Sequence, residues 1–400
     1  MCNKNRYFCD KLMIAMRFFK VICVFMLSLI NVYSQEARKI LWDKSENKPI
    51  SYATISSADF HTISNEDGYF EIKDLQSKIL IQNVAYQPLE LEYVSYKDKD
   101  TLFMTPNVYE LDEVVVNPSD RYMRMMKTIL TDYAMKPHQE KFFLRAVVRK
   151  NGEFYKIVDF SGFLEKKVLF STKLIPMPKD NYTVQIENIR KVGREDKKLD
   201  YGLLSFKELL NGAVTLFTPP ETFNYSVKDS ESGFYEIKAN SKEKEKIVAE
   251  GRFLADNSDD TFHEVLIQYD NKNGAFDKKL WLKYRTVLFD QTSTFKRNPQ
   301  TNKMQLNITV IKPTTEAIIK DTRDVFEATY VFHAVPLENS IVIKNNININ
   351  KDMFDLNGAY NPDFWDSNEV LLLTDEMQEF VNQINASGKK SDFRSITNMK

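Results

Sequence analysis

Residues 142–160 read FFLRAVVRKNGEFYKIVDF. Two runs rich in aromatic and β-branched residues, Phe142 to Arg149 and Phe154 to Phe160, flank Lys150-Asn151-Gly152-Glu153. Asn-Gly suits a two-residue hairpin, because both central residues take positive φ and glycine does so without steric cost. The stretch predicts an antiparallel hairpin. Downstream the pattern repeats: Tyr225 to Val227 meets Phe234 to Ile237 across Glu231-Ser232-Gly233, and His263 to Tyr269 meets Leu280 to Phe289 across a loop holding Asn273-Gly274. Asn307 to Ile311, Phe326 to Phe332 and Ser340 to Ile343 add strands. The expectation is a large antiparallel meander, in a curved sheet, over residues 141–388. Two short helices interrupt it. Ser205 and Glu208 suit a capping box ahead of Phe206 to Leu210, with Gly212 as a stop. Thr374 suits the cap of a helix whose stripe is Met377, Phe380, Val381 and Ile384, ended by Gly388. Residues 389–400 are polar and are expected to be a disordered tail.

Upstream, Tyr122, Met125, Met126, Ile129, Leu130 and Tyr133 recur at helical spacing, and Pro137 stops the pattern. Residues 118–140 are read as a helical linker packed between two domains. Before it, residues 35–117 show short alternating strands: Ala37 to Trp42, Tyr52 to Ile55, Tyr69 to Ile72, Leu80-Ile81, Leu89 to Val94, Leu102 to Met104 and Val114 to Val116. Asp67-Gly68 reads as a hairpin turn rather than a calcium loop, because the earlier acidic ligands are missing. Seven or so strands in about 80 residues predict a β-sandwich. The fold class is mainly β.

Lys48-Pro49-Ile50-Ser51-Tyr52-Ala53, Ser64-Asn65-Glu66-Asp67-Gly68-Tyr69-Phe70, Val84-Ala85-Tyr86 and Leu111-Asp112-Glu113-Val114-Val115-Val116 together resemble the carboxypeptidase-regulatory-like domain common in Bacteroidetes envelope proteins. The resemblance covers about 80 of the 400 residues, and Ala85 departs from the glycine often found there. It implies a seven-stranded, transthyretin-like sandwich that serves as an accessory module, not as a peptidase. The whole layout of sandwich, helix and β-rich body also resembles an uncharacterised envelope architecture. A zinc carboxypeptidase needs His and Glu ligands at short spacing, and His61, His138, His263 and His333 sit in no such motif. Leu111 to Val116 also resembles the segment that joins this module to TonB-dependent receptors. It is read as the final sandwich strand, with a TonB-contacting strand as the alternative; no barrel pattern follows it.

Residues 1–34 read as a signal peptide, with Arg17 and Lys20 before the apolar run Val21 to Ile30 and cleavage expected before Gln35. Met16 is an alternative start. The apolar run spans about 15 Å as a helix, half the hydrocarbon thickness, which argues against a retained anchor. All three cysteines, Cys2, Cys9 and Cys23, precede the cut. The remaining chain has neither disulfides nor thiolate chemistry and carries 50 basic against 55 acidic residues, so no nucleic-acid surface is expected.

No nucleophile elbow, phosphate loop or dinucleotide fingerprint appears. Asp256-Asn257-Ser258-Asp259-Asp260 is the densest acidic cluster and reads as a solvated turn. Lys242 to Glu250 reads as an exposed edge or loop, and Tyr360 to Trp365 as a loop pinned into the core. The expectation is a non-catalytic exported envelope protein, periplasmic or outer-membrane-associated, with no catalytic, cofactor or metal residues assigned and no membrane-spanning helix after cleavage. Its partner would be an envelope protein, glycan or apolar ligand. The alternatives are a polysaccharide hydrolase with paired carboxylates, or a lipid carrier.

Overall fold

The computed structural model describes residues 37–400 except 59, 73–77, 108–110, 113–117, 197–198, 217–222, 231–232, 243–247, 369, 387–393 and 400. The signal-peptide segment 1–34 and Val114-Val115-Val116 lie outside the described residues. The described chain divides into two compact units, residues 37–83 with 88–105, and residues 84–87 with 106–399.

The first unit runs β1 (Ala37–Asp43), β2 (Lys48–Pro49), β3 (Thr54–Ser56), β4 (His61–Ile63), β5 (Tyr69–Ile72), β6 (Ile79–Gln82), β7 (Leu89–Leu91), helix α1 (Tyr93–Tyr96) and β8 (Thr101–Met104). It holds two four-stranded sheets. In one, β1 pairs antiparallel with β2 and β5 and parallel with β8; the other is ordered β4-β3-β6-β7. Alternate residues point inward, burying Leu41, Ile55, Phe70, Ile79, Ile81 and Leu102.

The Asp67-Gly68 turn does not make the expected hairpin. It carries the chain from β4 in one sheet to β5 in the other. The Asn65 side chain accepts the N–H groups of Asp67 and Tyr69, and Gly68 holds φ 80°. A Cβ there would sit 2.6 Å from the Leu41 carbonyl oxygen. The local turn chemistry was legible; which strand it led to was not.

In the second unit β9 (Leu111–Asp112), α2 (Pro118–Asp132), β10 (His138–Lys150), β11 (Glu153–Lys166), β12 (Tyr182–Glu195) and α3 (Phe206–Ala213) come first. Then follow β13 (Phe223–Ser230), β14 (Phe234–Ser241), β15 (Val248–Asp256), β16 (Phe262–Asp270), β17 (Asp277–Lys279), β18 (Leu282–Arg297), β19 (Met304–Ile319) and β20 (Thr322–Pro336). Helices α4 (Pro362–Asn368) and α5 (Asp375–Ala386) and strand β21 (Arg394–Thr397) end the chain. Described pairings place these strands in one sheet of 13, ordered β21-β12-β11-β10-β20-β19-β18-β16-β15-β14-β13-β9, with β17 on β18. The Asn151-Gly152 hairpin forms as expected, with φ 53° and 88°.

One face of this sheet, called inner here, carries the main core: Phe142, Leu144, Phe160, Val184, Ile237, Phe253 and Phe332, covered by α2 and α3. Tyr122, Met125 and Ile129 of α2 are buried in that core, so the helix expected to be a linker is part of this unit's core. Its C-terminal neighbour Tyr133 stacks on Phe262 and closes a ring of two hydrogen bonds with that residue's carbonyl and N–H, at 2.8 and 2.7 Å. The capping box of α3 forms as expected. Gln291 and Ser293 on β18 donate to the carbonyls of Gly212 and Ala213 at its end. Over β10–β12 the outer face is covered as well, by Met377, Phe380, Val381 and Ile384 of α5.

Four further expectations are corrected. Leu111–Asp112 pairs with β13, so it is not the last strand of the first unit's sheets. Residues 138–140 belong to β10, not to a linker. Ser340 to Ile343 is not a strand, because its contacts are made by side-chain amides: Gln139 exchanges hydrogen bonds with Ile341. Within the tail expected to be disordered, Arg394–Thr397 pairs with β12. The physical reason is the edge of β12. Asn346 and Asn398 bond its backbone through their amide groups, and β21 completes the cover.

Candidate functional site

Strand periodicity decides which polar residues of the second unit meet. Arg145, Asp159 and Arg190 are direct cross-strand neighbours on the outer face of β10–β12. Arg145 donates to both Asp159 carboxylate oxygens at 2.8 and 3.0 Å, and Arg190 donates twice to Oδ2 at 3.0 and 2.7 Å. Burial pushes the Asp159 carboxyl up, but the two guanidinium groups outweigh it and hold it below its usual range. Arg145 also donates to the carbonyls of Leu371 and Leu372, and Arg190 lies 4.9 Å over the Trp365 ring. The network fastens Trp365, Leu371 and Leu372 to the sheet. Trp365 is buried against Phe143, but the stretch expected to be a loop pinned into the core is helical from Pro362, and of Tyr360 to Trp365 only Trp365 is buried.

A second buried cluster lies on the inner face. Glu140 pairs with Lys166 at 2.7 Å, and His138 Nε2 stands 3.8 Å from the other Glu140 oxygen. Burial lowers the His138 imidazole below its ordinary value although Glu140 favours its charge. Sequence reasoning missed this set, because it tested His138 and Glu140 against a helical face. On a strand, positions i and i+2 share a face, and Lys166 is registered opposite His138. An ammonium already neutralises the carboxylate. Among the described residues no group of three or more His, Cys, Asp or Glu converges on a metal position.

The remaining candidates are held in the same way. In the acidic cluster, Asp256 binds Ser258, Asp259 binds Thr261 and Arg297, and Asp260 accepts from the Tyr235 hydroxyl at 2.8 Å and faces Arg124. His263 packs edge-on against Phe234, and His333 Nδ1 lies 3.0 Å from the Asn307 carbonyl. Two carboxylates converge on the outer face at Glu236 and Glu264. Burial raises Glu264, but Arg252 stands between the pair and forms ion pairs with both. That arrangement leaves neither acid free to serve a substrate.

One apolar surface stays partly open. On the inner face Tyr269 and Phe289 are cross-strand partners, their rings 4.8 Å apart and 4° from parallel, and both are half-buried. Leu282 and Tyr284 continue that face along β18, with Tyr284 exposed. The expected pairing of His263 to Tyr269 with Leu280 to Phe289 forms; the register that sets the two rings face to face comes from the structure.

No protein-family model matches the chain, and no curated protein sequence matches it. Among solved structures, the YwiB protein of Bacillus subtilis is similar over 50% of this chain and 96% of its own, at 11% identity and a TM-score of 0.12. The MucA/MucB complex of Pseudomonas aeruginosa is similar over 55% of this chain and 94% of its own, at 10% identity and a TM-score of 0.17.

Proposed function

We propose that the chain is a non-catalytic exported protein of the cell envelope. In this reading the first unit is the carboxypeptidase-regulatory-like module and acts as a docking or spacing element. The large sheet binds a partner through its open aromatic surface. The observation that carries the reading is the parallel Tyr269–Phe289 pair, half-open on the inner face and continued by Leu282 and Tyr284. Flat aromatic faces on a rigid sheet suit a sugar ring, an apolar chain or an apolar protein surface. The buried ionisable groups around the two centres described above serve packing: each carboxylate there already has a cation.

The test is capture from envelope extracts with the wild-type chain and with the variant Tyr269→Ala/Phe289→Ala. The expected result is a glycan, apolar molecule or protein retained by the wild type and lost from a variant of unchanged circular dichroism. Equal retention by both, or recovery of the chain alone, counts against the proposal. The hydrolase alternative would require Glu264 and Glu236 to act despite their ion pairs with Arg252. Hydrolysis of an envelope polysaccharide, abolished by Glu264→Gln, would favour it instead.

A further inference from the structure

At the β17–β18 hairpin, Lys279 is paired with Leu282, so the turn consists of Leu280 and Trp281 alone. These side chains are 93% and 59% exposed, and Leu280 holds φ 55°. A two-residue turn with positive φ at its first position favours glycine there. Here solvation opposes both residues, and backbone preference opposes Leu280. Cations surround them: Lys278 and Lys279 precede the turn, Lys283 follows it, and Lys320 adjoins Ile319, which is registered opposite Leu282. All four lysines are exposed, and none forms an ion pair with another described residue. The nearby Arg285 and Arg323 are committed to Glu316. Asp277 and Asp321 are the acids beside the tip, so lysine exceeds acid by two.

We infer that this hairpin tip is a membrane-docking element for an anionic lipid bilayer. Leu280 and Trp281 enter the boundary between headgroups and acyl chains, where indole and aliphatic groups partition together. The lysine stems lie along the same boundary while their ammonium groups reach lipid phosphates. The charge pattern selects an anionic surface over a neutral one, each lysine near it adding roughly five-fold to partitioning. This goes beyond the proposed function, since it depends on neither export nor the Tyr269–Phe289 surface.

The experiment uses the full chain with vesicles of phosphatidylcholine, with or without 30% phosphatidylglycerol, and brominated acyl chains as quenchers. Trp281 emission is expected to shift blue and be quenched on anionic vesicles, and the quenching is expected to vanish in Trp281→Phe. Of the other tryptophans, Trp365 is buried and Trp42 half-buried, so they serve as internal controls. Leu280→Gly/Trp281→Ser matches the turn's own preference for glycine at its first position; it is expected to weaken the tip's binding roughly 30-fold or more. Replacing Lys278, Lys279, Lys283 and Lys320 by Gln is expected to abolish the preference for anionic vesicles. Residues 21–30 are common to every variant, so any contribution from them cancels in these comparisons. Unquenched wild-type Trp281 emission overturns the inference. So does dimerisation in lipid-free buffer that Leu280→Gly/Trp281→Ser abolishes, which would make the tip a contact between two copies.

Discussion

Asp159→Asn tests the account of the buried charges most directly. The wild-type carboxylate is fully buried and accepts four hydrogen bonds from Arg145 and Arg190, between 2.7 and 3.0 Å. An amide keeps one acceptor oxygen and turns the other position into a donor facing donors. Two guanidinium groups then remain buried without a counter-charge. Breaking a buried pair by removing one partner costs about 3–5 kcal/mol, a large share of a domain stability of about 5–15 kcal/mol. The loss is expected as a lower urea midpoint with an unchanged slope, followed by circular dichroism. Hydrogen exchange should quicken first over residues 371–386, because Arg145 also holds the Leu371 and Leu372 carbonyls. The pH dependence has a definite sign. The folded-state carboxyl is held below its ordinary value, so its stabilisation is present above about pH 4 and is lost as pH falls through the folded value. The variant should therefore show a shallower acid limb. A loss under 1 kcal/mol, or an unaltered acid limb, would refute the reasoning.

Two other predictions follow from the same physics. Burial lowers the Lys296 ammonium from 10.5 to about 8. Between pH 8 and 10 the unfolded chain holds more protons, so stability should rise with pH; above 10, tyrosines held un-ionised by burial, such as Tyr182 at about 12, reverse the trend. Lys296→Met should flatten that rise, measured by urea titration across the range. Gly68→Ala should cost about 2–3 kcal/mol, since it combines a left-handed φ with a Cβ that meets the Leu41 carbonyl oxygen. Gly152→Ala, equally left-handed but with nothing near its Cβ, should cost about 1 kcal/mol. Hydrogen exchange of β1 against that of the β10–β11 hairpin gives the order, and equal losses would contradict it.

The legible parts of the fold were those whose signal is local. Asn151-Gly152 needs only the φ values of two residues, and the capping box of α3 closes between Ser205 and Glu208. The stripe of α5 emerged from helical periodicity alone. The Asp67-Gly68 turn shows the limit: its geometry is local, but its destination in a different sheet depends on distant β1. The His138–Glu140–Lys166 cluster was hidden for a related reason. His138 and Glu140 meet only if their segment is a strand, and Lys166 arrives through the register of β11.

Residue order alone, through alternation and turn chemistry, determined that this chain is built of antiparallel strands with few helices. It also placed most hairpins and the ends of two helices, because such choices are settled within a few residues by steric and hydrogen-bonding preferences. Tertiary structure alone decided that α2 sits in the core of the large sheet, that Asn346, Asn398 and β21 close the edge of β12, and which buried charges neutralise one another. Those outcomes depend on pairings between residues dozens to hundreds of positions apart, and burial removes the water that would otherwise satisfy each group separately.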